Sequence, residues 1–317
     1  PAPEGDVAET EAEALARLAE AGRIRLLVNG ANRGFTEAAN RGMACGPGRD
    51  VVLLNADTRV PDGWLDRLRA AARAEPGTGT VTPLSNNGEL ASLGGPHRPG
   101  PMPGPGRLAA LDDAARAANA GLTVALPTGV GFCLYIRRAC LDAVGPLDAE
   151  TFGRGYGEEA DFCMRAARLG WRHVCAADLV VAHRGAVSFG AERAGLVARN
   201  MPRVARRHPE YRPLVARFVA EDPLARARRA TARAAPERRG PSPVLAVAEA
   251  PAAESAAREP ARRAAAETGR PLLWLSPLPG TGGAAVRLES EDGGGAGPLF
   301  YRLPDEAAEL VADIRRL

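Results

Sequence analysis

The stretch Asp50-Val51-Val52-Leu53-Leu54-Asn55-Ala56-Asp57-Thr58 constrains the fold more than any other, because an apolar run stops abruptly on an amide and a carboxylate. A run this short, rich in valine and leucine and closed by polar residues, reads as a buried strand of a parallel sheet. Side chains alternate along a strand, so Asn55 and Asp57 point one way and Ala56 the other. Two oxygen ligands then stand together at the carboxyl end of a strand, the ligand edge of an open α/β sheet.

Helices and strands are expected to alternate around this tip. The pattern predicts a helix over 7–21, capped by Asp6 and stopped by Gly22, and then a short strand over 24–28. Asn29-Gly30-Ala31-Asn32-Arg33-Gly34-Phe35 is rich in residues that tolerate left-handed backbone and reads as a turn into a helix ending near Cys45. Beyond the tip come a helix over 61–74, a strand over 80–82, a Gly- and Pro-dense loop over 83–106, a helix over 108–118, and strands over 124–126 and 131–136. Loops that long within a compact domain are commonly functional or mobile. A glycine-rich loop over 152–157 delivers the chain to Glu158-Glu159-Ala160-Asp161, which opens a helix to about 169. A strand over 174–182 ends at His183, and helices follow over 191–208 and 211–220. From 222 to 270 the composition turns to Ala, Arg, Pro and Glu without periodicity and reads as a linker. Residues 271–317 read as the start of a second domain, with the strand Leu272-Leu273-Trp274-Leu275, the turn Pro279-Gly280-Thr281-Gly282-Gly283 and a closing helix over 305–317.

Composition narrows the function classes. The net charge of +3 is too mild to imply a nucleic-acid partner, and all 41 basic residues are arginine, so arginine frequency carries no functional message. The five cysteines lie far apart without metal-ligand spacing, which favours buried, reduced thiols and a cytoplasmic compartment. No apolar run approaches the roughly 20 residues of a membrane helix.

Four motifs in order carry a resemblance. Asn32-x-Gly34-Phe35-x-x-x-x-Asn40-x-Gly42, then Leu53-Leu54-Asn55-Ala56-Asp57, then Gly155-Tyr156-Gly157-Glu158-Glu159-x-Asp161-x-x-x-Arg165, then His183-x-x-x-x-Ser188-Phe189, resemble family 2 glycosyltransferases of the GT-A fold over about residues 23–190. The resemblance implies a metal-assisted, inverting transfer of a sugar from a nucleotide-diphosphate donor to a hydroxyl of a glycan or lipid-linked acceptor, at the inner face of a membrane, with Mn2+ or Mg2+ bridging the diphosphate. It implies Asp57 as the main metal ligand, because Asn55 stands where the family has a first aspartate, and it leaves Asn55 to touch the ribose or a metal-bound water. Glu159 occupies the place of the base that deprotonates the acceptor, with Asp161 the competing carboxylate, and His183 that of a residue completing the metal or diphosphate site. Gly34 and Asn40 match the nucleotide-side helix, and Gly129, within Thr128-Gly129-Val130-Gly131, matches backbone beneath the donor sugar.

Plainer readings stand beside these. Asn55 and Asp57 suit a turn after a strand, the acids at 158–161 favour the positive end of a helix dipole, and Asp161 can pair with Arg165 one turn on. The family's opening strands, with the nucleobase and ribose contacts, have no counterpart, so the chain is expected to begin inside a catalytic domain. A nucleotidyltransferase of related fold, or a binding module gripping RNA or anionic lipid through arginines between 203 and 239, are the alternatives.

Overall fold

The computed structural model describes residues 6–185, 192–235, 244–248, 251–268, 270–279, 285–290 and 298–316. The chain runs through helices α1 (Asp6–Glu20) and α2 (Gly34–Ala44), strands β1 (Val51–Leu54) and β2 (Thr58–Arg59), helix α3 (Trp64–Ala74) and strand β3 (Thr78–Leu84). Helix α4 (Pro105–Asn119), strands β4 (Thr123–Leu126) and β5 (Cys133–Ile136), and helices α5 (Arg138–Val144), α6 (Ala149–Phe152) and α7 (Glu158–Arg168) follow. Next come β6 (Arg172–Val180), β7 (Ala182–His183), and helices α8 (Glu192–Arg207), α9 (Tyr211–Glu221) and α10 (Ala225–Ala234). The end of the chain holds β8 (Val244–Val247), α11 (Pro251–Thr268), β9 (Leu272–Pro277), β10 (Ala285–Ser290), β11 (Leu299–Arg302) and α12 (Ala307–Arg316).

The expected α/β class is present, but the central sheet is mixed. Its order is β1-β5-β3-β6-β4, and only β3 and β6 run parallel. The acidic-tipped strand is therefore not the interior parallel strand that its apolar run suggests. β1 lies at the sheet edge, antiparallel to β5 with Leu54 opposite Cys133, and Leu54 is accordingly exposed. β5 is buried along its whole length and alternates between two cores: Leu134 and Ile136 pack with Leu53, Cys140 and Phe162, while Cys133 and Tyr135 pack with Leu68, Val81 and Leu179. A third core, around Leu84, Leu108, Leu111 and Leu126, seats α4, α9 and α10.

The strand expected over 24–28 does not form. Among the described residues no neighbour hydrogen-bonds this segment as a ladder, and without one its alternating side chains Ile24, Leu26 and Val28 remain exposed. Arg41 anchors it instead, donating to the Val28 carbonyl at 2.8 Å and to Asn29 Oδ1 at 2.6 Å.

The loop over 83–106 has a packed beginning. Ser85, Asn86, Leu90, Ala91 and Leu93 are buried around the 3-10 turn Glu89–Ala91, and Leu93 N–H donates to the Ser85 carbonyl at 2.7 Å. Asp112 on α4 ties the layers together. It receives a two-pronged Arg67 guanidinium at 3.0 and 2.7 Å and the Val180 N–H at 3.0 Å, joining α3, α4 and β6.

Within the stretch 222–270, expected to be a linker, the described residues instead form α10, β8 and α11. α10 lays its alanine face on α4, and the buried Asn119 amide donates to the Ala177 and Ala227 carbonyls and to Thr231 Oγ1. Three of the four arginines of α10 are committed inside the protein: Arg228 pairs with Asp222, Arg229 with Glu306 and Glu309, and Arg233 with Asp313. A helix of alanine and paired arginine shows little apolar periodicity in sequence, because its contact face is made by small side chains. These pairings leave the expected RNA- or lipid-gripping segment without free arginines at 228, 229 and 233; residues 236–240 lie outside the described residues. β8 joins β9 in parallel, giving a second sheet of order β11-β10-β9-β8 around Leu273, Val286, Leu288 and Tyr301. The turn Gly280-Thr281-Gly282-Gly283 and the motif residues Ser188 and Phe189 lie outside the described residues.

Candidate active site

The tip after β1 is held open by its neighbours. Asn55 N–H donates to the Phe132 carbonyl at 2.9 Å, and the Asn55 carbonyl accepts from Thr58 Oγ1 at 2.7 Å, so the chain turns sharply into β2. β2 pairs with β7, placing Thr58 opposite His183. Asp57 Oδ2 accepts the Gly185 N–H at 2.9 Å, whereas Asp57 Oδ1 is buried without a hydrogen-bond partner and lies 3.5 Å from His183 Nε2.

The imidazole is fixed from three sides. His183 Nδ1 is 2.7 Å from the Asn87 carbonyl, which can only accept, so Nδ1 carries a proton, and Nε2 faces Asp57 with the Asn55 amide nitrogen 3.4 Å away. Asn86 grips the His183 backbone on both sides, accepting its N–H at 2.8 Å and donating to its carbonyl at 2.9 Å. The ring stacks on Phe132 with centroids 5.0 Å apart. Gly185 has φ +72 and a Cβ there would stand 2.0 Å from Asn87 Nδ2, so only glycine brings its N–H to Asp57. An orphaned buried carboxylate oxygen facing an imidazole nitrogen matches the donor set that Mn2+ takes; Mg2+ favours the oxygen. Among the described residues no group of three or more His, Cys, Asp or Glu could hold a metal ion, so the chain offers an incomplete set that a diphosphate and water would complete.

The second cluster opens α7. Gly157, with φ +97, starts this helix where a Cβ would approach Val204 to 2.9 Å, and the tight fit turns Glu158 and Glu159 inward. Glu158 is 5% exposed, and each glutamate has a buried Oε2 without a partner. Burial, with the negative charge of Glu89 adding to it, pushes the Glu159 carboxyl up to about 7. Burial and the neighbouring Glu159 charge push Glu158 well above the ordinary carboxylate range. Gly131 links the two clusters: a Cβ there would lie 3.7 Å from Glu159 Cγ, and the next residue, Phe132, carries the His183 ring.

Other expected site residues are placed elsewhere. Asp161 is fully buried and both its oxygens are committed, Oδ2 to Arg165 Nε at 2.8 Å and Oδ1 to Arg207 Nη1 and His208 Nε2, each at 2.9 Å. Burial alone would raise its pKa, but hydrogen bonds from His208, Arg165 and Arg207 outweigh that and hold it below the usual aspartate value. Asp161 is thus a cross-link between α7 and α8. The stability it contributes is present above the ordinary aspartate range and is lost as pH falls through its lowered pKa. Asp161→Ala is expected to cost about 3 kcal/mol in a denaturant melt, because Arg165, Arg207 and His208 lose their buried partner.

Asn40 spends its amide on the backbone of Leu147, donating at 2.7 Å and accepting at 2.9 Å. Gly34, with φ +80, sits where a Cβ would meet Arg154 Cα at 2.5 Å, so its absent side chain lets α2 dock on the 153–157 loop. Gly129 is buried; a Cβ would strike Leu134 Cδ1 at 2.3 Å, and its N–H donates to Cys163 Sγ at 3.2 Å. In this structure these three make packing and backbone contacts. Sequence reasoning missed Asn86, Asn87, Phe132, Gly185 and Glu89. Asn86 and Asn87 were visible as polar residues opening a long loop, but their pairing with His183 joins positions 96 and 97 residues apart.

Residues 5–142 match the family model described as glycosyl transferase family 2. Over these residues, less than half of its length, the chain is similar to that family. The matched span includes Asn55 and Asp57 and ends before Glu159. N-acetylglucosaminyl-diphospho-decaprenol L-rhamnosyltransferase from two strains of Mycobacterium tuberculosis is 29% identical over 206 residues, 55% of this chain. The match spans 63% of the length of those relatives. Among solved structures, a mannosyltransferase from Pyrobaculum calidifontis, in complex with GDP-Man and Mn2+, aligns at 18% identity and a TM-score of 0.45, over 74% of this chain and 62% of that one. GalNAc-T7, with UDP, GalNAc and Mn2+, aligns at 15% identity and a TM-score of 0.42, over 57% of this chain and 36% of that one. No helix among the described residues is long and apolar enough to cross a membrane.

Proposed function

We propose that this domain, on a GT-A scaffold, moves a sugar from a nucleotide-diphosphate donor to a hydroxyl of a glycan or lipid-linked acceptor with inversion at the anomeric carbon. The observation that carries this reading is the arrangement about Gly131-Phe132, with an orphaned carboxylate oxygen and an imidazole on one side and a buried carboxyl of raised pKa on the other. Asp57 and His183 would hold a divalent cation, and such an ion supplies positive charge to the departing diphosphate. Glu159 accepts the proton of the acceptor hydroxyl as the new C–O bond forms and the anomeric C–O bond to the diphosphate breaks. His183, oriented by Asn87 and Phe132, holds its Nε2 in place without reorganisation. The name of the mycobacterial relatives supports an L-rhamnosyl donor and a diphospho-polyprenol acceptor as the first pair to try.

The test is a panel of nucleotide sugars incubated with the full-length protein and Mn2+ or Mg2+, with the released nucleotide identified. Release of nucleoside diphosphate that stops on chelation is expected. Release of pyrophosphate would show nucleotidyl transfer instead, and metal-independent turnover would overturn the role given to Asp57 and His183.

A further inference from the structure

Glu158 has no place in the reaction as drawn, yet it is the more deeply buried of two adjacent carboxyls. No ion pair among the described residues involves either side chain, and each keeps a buried oxygen without a partner. The two stand side by side at the start of α7 away from any counter-ion, and two such buried carboxylates repel, so one proton is held on the pair. Enclosure decides which side holds it. The Glu158 side chain is enclosed, and its ionisation would put two negative charges in contact.

We propose that Glu158 is the protonated member of a carboxyl pair, a positioning residue whose O–H donates to Glu159 and keeps that carboxylate aimed past Gly131 at the acceptor hydroxyl. The proton remains on Glu158 throughout, and the one taken from the acceptor goes to Glu159. Around the pair stand Glu89 from the 89–91 turn, Tyr156 from the preceding loop with Arg193 beside its ring, Cys163 one turn along α7 and Tyr211 on α9. Of these only Glu89 brings a further negative charge to the carboxyls. Glu89 also has φ +49, an unusual backbone for a glutamate, kept while its carbonyl accepts the N–H groups of His97 at 2.8 Å and Ser92 at 3.3 Å.

This inference rests on Glu159 being the base, and the experiment separates the two. The pH dependence of kcat/KM is measured for the full-length protein and for Glu158→Gln, Glu158→Ala, Glu89→Gln and Glu159→Gln. Glutamine at 158 still donates an N–H, so the acid limb should stay near its original position. Alanine removes the donor and should move the limb up by about one pH unit. Glu89→Gln removes a repelling charge and should move it down. A limb unmoved by Glu158→Ala, with Glu159→Gln inactive, overturns the role of Glu158 and leaves the base standing. Near-normal rates in Glu159→Gln overturn the base itself. If Glu158→Ala does not fold, infrared spectroscopy at about pH 9, where Glu159 is ionised, decides. A protonated-carboxyl C=O band lost in Glu158→Gln and kept in Glu159→Gln supports the proposal, and a band kept in Glu158→Gln overturns it.

Discussion

Asp57→Ala is expected to lower kcat/KM of the full-length protein by about 10³-fold, the scale at which one preorganised electrostatic contact to a leaving group acts. The substitution removes two things. One is the orphaned Oδ1 that faces His183 Nε2, and the other is the acceptor for the Gly185 N–H. Asp57→Asn separates them, because an amide oxygen can still accept from Gly185 while the negative charge is gone. If the charge matters for the cation, the asparagine variant should require more Mn2+ for half-maximal activity and recover part of its rate at high metal concentration. An unaltered metal titration in both variants would confine Asp57 to holding the turn. His183→Ala should show the same dependence with a smaller loss, since it removes a neutral ligand.

Glu159→Gln is expected to cost between about 10² and 10⁴ in kcat while leaving donor binding nearly unchanged, because it removes a proton acceptor and preserves shape. The pH profile gives a second reading of the same group. Glu159 must be ionised to take a proton, and its pKa is raised to about 7. The rate should therefore fall tenfold per pH unit below about pH 7 and flatten above it, whereas a carboxylate with an ordinary pKa would keep full activity well into the acid range. A flat profile between pH 5 and 7, or a rate within a few-fold of normal in Glu159→Gln, would remove this residue from the chemistry. Steady-state kinetics with the donor and acceptor found active in the panel provide both measurements.

The order of motifs was legible without coordinates because it depends on local rules. An apolar run closed by Asn55 and Asp57 announces a strand end, a glycine before two acids announces a helix start, and both occur as expected at 51–54 and 158–168. Sheet position was not legible. Val51–Leu54 reads the same whether it lies inside or at the edge, and its place depends on β5, some eighty residues later in the chain. Asn40, Gly34 and Gly129 show the same limit at single residues. Each has a side chain, or lacks one, in a way that suits a ligand, and in each case a distant backbone or side chain occupies the space.

The residue types at the site, and the helix that presents Glu158 and Glu159, follow from sequence alone, since spacing along one strand or one turn of helix determines which side chains emerge together. Tertiary structure decided what those residues are able to do. Burial without a counter-ion raised Glu159, three basic partners lowered Asp161 two positions along, and a carbonyl from Asn87 fixed a proton on His183 Nδ1. Proton affinity depends on what surrounds a group in space, and those surroundings come from segments that the chain order does not bring together.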